Sequence, residues 1–415
     1  MLRNPGNLQA GRNYARSLIA AGNYEGGIAA LEGMLADPAA DPSLRVELAV
    51  LYYRLGSYAA AESYLRTALA DQRLPANVRT DAQNLLADVE RRNAPGGHLT
   101  GNLSIGGRFQ SNPTAAADSN ILANGASVPL PDASRRNSAF DAFLTGNAVH
   151  EWDLNTQNSA TLVTTGNLFA NHYEGAADYN STSPKTDPQD LAALNVTSGI
   201  RFKPDPVGLS GLTTRPYLAA SELLLDGNQY MGALGGGVDA DYLFNDGGTL
   251  VGATYDIRRT MYAERADITD SNEQSGYDQF LQLRAMQEVG VRKTVTANVT
   301  LRDHSTDREA FDYQSVDVRL IFGTYYTDPF GWDQRSWATS LYAGPTFRRY
   351  GGADPSVTAA TTREDTEWRI GVSQFFPVAE DLGLQLVAEY TSADSNLPNY
   401  TYDNASVLAS VVWNF

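Results

Sequence analysis

Histidine and its acidic neighbours are the residues to examine first for chemistry, because the chain contains no cysteine. The chain has four histidines: His98, His150, His172 and His304. Asp303 and Asp307 lie beside His304, but no nucleophile motif accompanies this group and no metal-ligand cluster stands out. A histidine flanked by acids at a loop rim is typically solvated. The sequence therefore predicts a protein that is not an enzyme and needs no cofactor.

Nucleotide and nucleic-acid chemistry are not indicated either. The three glycines at 235–237 lack the lysine and the following helix of a phosphate-binding loop, so we expect a kink in a sheet there. The chain has 31 basic and 48 acidic residues, a net charge of −17. Nucleic-acid phosphates would repel such a chain. The absence of cysteine also excludes disulfide frameworks and thiolate zinc sites.

The charge and the composition both change near residue 95. Residues 1–95 hold equal numbers of basic and acidic side chains and are rich in Ala, Leu and Arg. The later part carries the whole acidic excess and is rich in Gly, Thr, Asn, Tyr and Asp. The sequence Ala-Pro-Gly-Gly at 94–97 stops helices and forms turns. We therefore predict a helical domain at 1–94, a linker at 95–98 and a second domain at 99–415.

An offset of 34 residues relates two segments of the first domain. Gly22-Asn23-Tyr24 recurs as Gly56-Ser57-Tyr58, and the same offset pairs Ala15 with Ala49 and Leu31 with Leu65. This period, with small residues at fixed positions, resembles the tetratricopeptide repeat, in which helix pairs bury their apolar faces by stacking. A fifth helix is expected at about 76–92, where it either caps the stack or leads into the next domain.

The resemblance implies a concave groove on the inner helices. The residues that this register places in it are Gln9, Arg12, Arg16, Val46, Val50, Tyr53 and Arg54. The arginines and tyrosine of this set, Arg12, Arg16, Tyr53 and Arg54, suit an acidic peptide or a terminal carboxylate. An ordinary solvated face, with arginine stems covering apolar surface, is the alternative.

From residue 99 onward the hydrophobic period is two. Between Val291 and Arg302 one face carries mainly Val, Ala and Leu, whereas the other carries Thr, Asn and Arg. Fourteen such segments occur, an even number as in bacterial single-chain barrels. We predict strands near 99–112, 137–152, 156–172, 189–203, 213–226, 230–244, 249–263, 276–288, 291–304, 312–326, 335–350, 364–376, 382–394 and 402–415.

The connections between these segments alternate between long and short, which predicts a transmembrane antiparallel β-barrel in the outer membrane of a Gram-negative cell. Short turns then face the periplasm, together with both chain ends and the helical domain. No run approaches the length of a transmembrane helix. Because Met1–Pro5 has no apolar core, we infer that a leader peptide was removed. Val411, Trp413 and Phe415 resemble the terminal signal that the barrel assembly machinery reads.

A fourteen-stranded barrel is too wide for side chains to fill, so the interior must hold water, a plug or both. The candidate lumen charges are Asp239, Asp241, Arg292, Arg302, Asp317, Arg319, Glu367 and Arg369. They form either a lattice of paired charges that stiffens the wall or a polar conduit, and the two are compatible. The long segment 113–136 is able to fold inward.

A short tetratricopeptide domain followed by a fourteen-stranded barrel resembles the surface lipoprotein assembly modulators, or Slam proteins. The resemblance implies a translocon that exports a protein or lipoprotein client, with a periplasmic docking domain. One alternative is an exopolysaccharide export porin, although such exporters usually have more repeats and sixteen strands. Another is a passive cation-favouring porin with a docking domain. The expected partners are outer-membrane lipids, the barrel assembly machinery and an exported protein or polysaccharide client, with no nucleic acid.

Overall fold

The computed structural model describes residues 8–20, 23–35, 40–92, 97–130, 135–154, 160–174, 188–205, 208–209, 211–244, 247–268, 270–331 and 335–415. The predicted boundary at 94–97 lies mostly outside these residues. The last helix ends at Arg92 and the first strand begins at His98.

Five helices form the N-terminal domain. They are α1 (Leu8–Ala20), α2 (Tyr24–Leu35), α3 (Ser43–Arg54), α4 (Tyr58–Ala70) and α5 (Ala76–Arg92). The pairs α1–α2 and α3–α4 are the two predicted repeats. Their equivalent small residues Ala15 and Ala49 are fully buried, and Leu31 and Leu65 are buried at the same level of each pair. The tetratricopeptide-like reading of this domain is therefore confirmed.

In the second repeat, the Gly-x-Tyr motif at Gly56 follows the end of α3. Gly56 has a φ of 67°, a left-handed conformation that glycine adopts without steric strain. The backbone N–H of Ser57 then donates to the carbonyl of Tyr52 at 2.8 Å. The equivalent bond one repeat earlier joins Asn23 to Leu18, also at 2.8 Å. The same local geometry therefore recurs at the 34-residue offset.

Residues 98–414 form a closed antiparallel β-barrel of fourteen strands, so the predicted fold is confirmed. Two further strands, β2 (Ile121–Ala123) and β3 (Ala126–Val128), form a separate hairpin inside the first long connection. The barrel strands are β1 (His98–Gln110), β4 (Ala139–Asp153), β5 (Ala160–Tyr173), β6 (Leu191–Phe202), β7 (Leu212–Leu225), β8 (Asn228–Phe244), β9 (Thr249–Tyr262), β10 (Gly276–Gly290), β11 (Lys293–Thr306), β12 (Tyr313–Thr327), β13 (Ser336–Tyr350), β14 (Glu364–Pro377), β15 (Leu382–Ser395) and β16 (Tyr402–Asn414).

Each barrel strand pairs with its sequence neighbours, and β16 closes the ring against β1. The register of the closing pair runs without interruption from Asn102 opposite Asn414 to Gln110 opposite Ser406. Phe415 and Gly101 extend it by two backbone hydrogen bonds of 2.9 and 3.0 Å. The seam between the first and last strands is therefore fully hydrogen-bonded in this structure.

The connections are long at one end of the barrel and mostly short at the other. The long-loop end carries residues 111–138, 174–190, 263–275, 307–312, 351–363 and 396–401, together with the tight turn Asp226–Gly227. The positive φ values of Asp226 and Gly227 suit a two-residue hairpin turn. The short-turn end includes Val291–Arg292, which joins β10 to β11. Arg292 therefore lies in a turn and not within a strand. Its φ in this turn is 59°.

Candidate functional site

The inner face of the barrel wall is identified by hydrogen bonds between side chains of non-adjacent strands. Arg258 on β9 donates to Asn195 on β6 at 2.6 Å, three strands away, and Tyr217 on β7 donates to Asp256 on β9 at 2.8 Å. Side chains converge in this way only on the concave side of a closed sheet. The face with these polar residues is thus the lumen, and the alternating apolar face points outward.

On the neighbouring strands β10 to β14, the outward face carries parts of two rings of polar residues. Direct register pairs place the members of each ring at one level. The ring at the long-loop end, here called the upper ring, contains Gln279, Asp303, Gln314, Arg349 and Glu364. The ring at the short-turn end, here called the lower ring, contains Lys293, Thr324, Thr339 and Gln374.

The two rings are ten residues apart on each of β11, β12, β13 and β14. At about 3.4 Å per residue and a tilt of about 40°, ten residues span about 26 Å along the barrel axis. The outward positions between the rings are Leu, Val, Ile, Phe, Trp, Ala and Pro, with Thr366 as the one polar residue among the four strands. This height agrees with the apolar band of about 25 Å that a bilayer requires.

Several polar groups of each ring bond to one another. Asp303 accepts hydrogen bonds from Gln279 at 3.2 Å and from Gln314 at 2.9 Å. In the lower ring Gln374 accepts from Thr339 at 2.5 Å and from the neighbouring Tyr326 hydroxyl at 3.0 Å. Such bonding lowers the free energy of placing polar side chains at the edge of an apolar layer.

The lumen charges form ion pairs along the wall. Asp239 binds Arg215 at 2.6 Å and accepts from Thr254, and Asp241 binds Arg284 at 2.6 Å. Further along the wall, Arg302 on β11 lies 3.6 Å from Asp278 on β10, Asp317 binds Arg319 at 3.3 Å on β12, and Glu367 binds Arg369 at 2.8 Å on β14. Seven of the eight predicted lumen charges therefore occupy inward strand positions.

Arg292 is the exception among these predictions. Its guanidinium lies at the short-turn end and donates to Ser336 at 3.3 Å. Sequence alternation alone places Arg292 on the inward face, because the even-numbered residues of β11 point inward. The strand has already ended at this position, since the two-residue turn 291–292 reverses the chain.

Asp256 and Arg108 on the lumen wall were not among the residues expected there from the sequence. Asp256 is fully buried and binds Arg258 at 2.7 Å, and Asp141, also fully buried, binds Arg108 at 2.8 Å. The glycines at 235–237 leave space for the side chains that pack on this part of the wall. A Cβ on Gly237 would lie 2.5 Å from the hydroxyl oxygen of Tyr217, so the glycine leaves room for the tyrosine that bonds Asp256. The segment lies in β8, with strands on both sides, as the sequence predicts.

His304 and its acidic neighbour Asp303 lie on opposite faces of β11. Asp303 points outward in the upper ring, whereas His304 points into the lumen. The Nδ1 atom of His304 lies 3.8 Å from Asp278, beyond hydrogen-bonding distance. His172 is exposed and contacts Asp190 at 2.5 Å. Among the described residues, no group of three or more His, Asp or Glu is arranged to hold a metal ion.

A cavity of about 570 Å³ opens on the inner face at the long-loop end. Strands β1 and β5 supply Arg108, Phe169, Asn171 and Tyr173 to its wall, and the loops add Pro113, Thr114, Pro188, Gln189, Asp267 and Ile268. Beneath it, Asp141 accepts from the Nε and Nη2 atoms of Arg108 and from Asn171 at 3.1 Å. We call this space the mouth cavity.

The first long connection is folded onto two neighbouring loops. The turn of the β2–β3 hairpin, Asn124–Gly125, donates backbone hydrogen bonds to Ser356 and Val357 at 2.9 and 2.7 Å. Leu122 exchanges two bonds with the Asn399 side chain. We call residues 111–130 the clasp. These hydrogen bonds hold the clasp against the loops that follow β13 and β15, at the long-loop end of the barrel.

In the helical domain three of the four groove candidates have acidic partners. Arg12 binds Asp41 at 2.9 Å and lies 3.4 Å from Glu47, and Tyr53 donates to Asp88. Arg16 and Arg54 remain exposed, with Arg16 3.7 Å from Glu47. The local positive charge therefore comes mainly from Arg16 and Arg54.

The fold and these surfaces define a helical-repeat domain joined to a closed barrel with a polar lumen and an apolar outer band. The tetratricopeptide repeat family model matches residues 18–89. No described helix has the length and apolar character needed to cross a membrane. No curated protein matches the chain.

Several solved outer-membrane proteins are similar to this chain at low TM-scores. The channel DcaP of Acinetobacter baumannii is 10% identical with a TM-score of 0.40, over 78% of this chain and 99% of that one. A FadL homologue of Pseudomonas aeruginosa is 9% identical with a TM-score of 0.42, over 79% and 93%. The toluene transporter TodX of P. putida is 11% identical with a TM-score of 0.37, over 78% and 91%. Scores this low support no mechanism or substrate for this chain.

Proposed function

We propose that this protein is an outer-membrane conduit that exports a protein or lipoprotein client, with its helical-repeat domain as a docking module in the periplasm. The observation that carries the membrane part is the pair of polar rings about 26 Å apart on the outer face. The polar, ion-paired inner face supports a water-filled path. The family match supports a peptide-binding role for the helices.

Chain connectivity supports the periplasmic placement. The first long connection follows β1, so β1 begins at the short-turn end, a few residues after α5. Short turns face the periplasm in outer-membrane barrels. The helical domain then lies on the periplasmic side of the membrane. A client destined for the cell surface is present in that compartment before export.

The groove is tested by reversing its exposed charges. The variant Arg16→Glu with Arg54→Glu keeps the Arg12–Asp41 pair that holds α1 near α3, so folding should be retained. Arg66→Glu is the matched control, because Arg66 is an exposed helix arginine outside the predicted groove that also contacts glutamates. Surface and periplasmic proteomes are compared between the wild-type, double-variant and control strains.

We expect at least one client to decrease at the surface and accumulate in the periplasm in the double variant only. Unchanged proteomes, or equal losses in the Arg66 control, would contradict the docking role. The barrel level in the outer membrane must be equal in all strains, which is measured by blotting.

The exit path is tested at the seam between β1 and β16. Ser104 lies directly opposite Val412 on the inner face. Opposed strand residues are close enough for a disulfide, and no native cysteine interferes. Export through the lumen should continue when Ser104→Cys with Val412→Cys is oxidised. A block that reducing agent relieves would instead show lateral exit through the seam.

A passive cation-favouring porin is the second candidate, and the composition of the barrel favours it. The acidic excess of the chain lies wholly in residues 96–415. The arginines on the lumen wall are already paired with carboxylates, so they offer little attraction to anions. Steady cation-selective conductance in planar bilayers, with no client lost from the surface of a deletion strain, would favour this function.

A further inference from the structure

The mouth cavity has the construction of a small-molecule site. Its volume of about 570 Å³ falls within the usual range for ligand pockets. Its wall is fixed from behind, because the fully buried Asp141 holds the Arg108 guanidinium in a bidentate pair of 2.8 and 3.0 Å. Asn171 is held by Asp141 and by the backbone N–H of Leu191 at 2.9 Å. The polar groups are therefore preorganised.

The cavity has no net charge to offer a ligand. Arg108 and Asp267 are its two charged lining residues, and each belongs to a bidentate ion pair. Asp267 accepts from Arg265 at 2.7 and 3.0 Å, and both of these side chains are almost completely buried. An ionic ligand would lose hydration here without gaining an unpaired countercharge. The electrostatics thus favour a neutral ligand.

The remaining groups are suited to hydroxyls and to C–H surfaces. Gln189 donates at 3.3 and 3.4 Å to Asp226 and Asp267, and its side-chain oxygen accepts no hydrogen bond from the described residues. Thr114 adds a hydroxyl. Phe169 supplies a half-buried aromatic ring, with the Arg108 guanidinium 5.9 Å from its centroid. Planar polar groups beside an aromatic surface match the alternating polar and apolar faces of a sugar ring.

We propose that the mouth cavity is a binding site for a neutral oligosaccharide at the long-loop end of the barrel. The site does not depend on the export function proposed above, because binding is measured on the purified full-length protein. Loss of export with retained sugar binding, or the reverse, distinguishes the two proposals.

Isothermal titration calorimetry in detergent is the test, with maltohexaose, cellohexaose and hexa-N-acetylchitohexaose as neutral probes. We expect saturable binding of at least one probe with one site per chain. Phe169→Ala and Gln189→Ala should each weaken it about tenfold, the usual effect of losing one aromatic contact or hydrogen bond in a pocket.

Phe280→Ala and Gln282→Ala are the matched controls. Both residues point inward on β10, away from the cavity, and Phe280 lies 5.8 Å from Arg302 in the same arrangement as Phe169 with Arg108. These variants should bind as the wild type does.

Three results would overturn the proposal. One is the absence of saturable binding for all three neutral probes. Another is equal affinity in the cavity variants and the controls. The third is tighter binding of the anionic probe hexagalacturonate than of every neutral probe, since it would show that the cavity is not electrically neutral to its ligand.

Discussion

A charge placed between the two polar rings gives the sharpest test of the outer face. Val299 points outward on β11, four residues from Asp303 in the upper ring and six from Lys293 in the lower ring. At about 2.6 Å of height per residue, these separations are about 10 and 16 Å. Leu301 lies only about 5 Å below the upper ring by the same measure.

Depth sets the expected loss of stability. An arginine near the middle of the bilayer destabilises a barrel by about 2–4 kcal/mol, and one near the interface by about 0–1 kcal/mol. We therefore expect Val299→Arg to lower the free energy of unfolding by about 2–4 kcal/mol. Leu301→Arg should lower it by about 1 kcal/mol or less.

Thr300→Arg is the control, because Thr300 lies between these two positions but points into the lumen, where it accepts from Gln282 at 3.3 Å. Its effect should be close to zero. The measurement is urea unfolding of the barrel refolded into lipid vesicles, followed by tryptophan fluorescence. Equal losses at the three positions, or the largest loss for Thr300→Arg, would refute the assignment of the faces and of the apolar band.

Three further outcomes are expected. Asp141→Ala should destabilise the barrel by about 3 kcal/mol in the same unfolding assay, because it leaves a mostly buried guanidinium without its countercharge; a loss below about 1 kcal/mol would contradict this. Deleting Trp413–Phe415 should strongly reduce the amount of folded barrel in the outer membrane, measured by heat-modifiable gel mobility, and normal levels would refute the assembly signal. Burial raises the pKa of Asp41, but hydrogen bonds from Ser43 and Arg12 outweigh burial and lower it. Its contribution to stability should therefore be present above about pH 4 and disappear as the pH falls through the lowered value, so Asp41→Asn should weaken the acid dependence of helical melting seen by circular dichroism.

The strands were predictable because one physical constraint acts on all of them. A wall between lipid and water forces alternation at every second residue, and all fourteen predicted segments correspond to observed strands. The helical repeat was predictable for a similar reason. Stacked helix pairs need small residues such as Ala15 and Ala49 at equivalent positions.

The positions of turns and the pairing of residues on distant strands were harder to predict from the sequence. Arg292 continues the inward alternation, but the chain turns there, so period alone does not locate the strand end. The β2–β3 hairpin has strands of only three residues, and Asn124–Gly125 is the one strong signal for it. Shear and register decide that Tyr217 meets Asp256 two strands away, and neither is encoded in a short sequence window.

One local pattern does identify much of the lumen lattice. An acid and an arginine two residues apart share a face of a strand, and Asp256 with Arg258, Asp317 with Arg319 and Glu367 with Arg369 all form ion pairs. The pattern does not find Arg108 and Asp141, which lie on different strands. The mouth cavity was missed for the same reason, because its wall comes from separate strands and loops.

Cysteine labelling in intact cells distinguishes the two sides of the barrel, because the chain has no cysteine of its own. Single substitutions are made at Asn124 in the clasp turn, at Val291 in a short turn and at Arg66 in the helical domain. Val291 and Arg66 have exposed side chains, so labelling depends on which side of the membrane they occupy. We expect a membrane-impermeant maleimide to label Asn124→Cys in intact cells, and the other two only after the outer membrane is permeabilised. Labelling of Arg66→Cys in intact cells would contradict a periplasmic helical domain, and labelling of all three would contradict the membrane-spanning barrel.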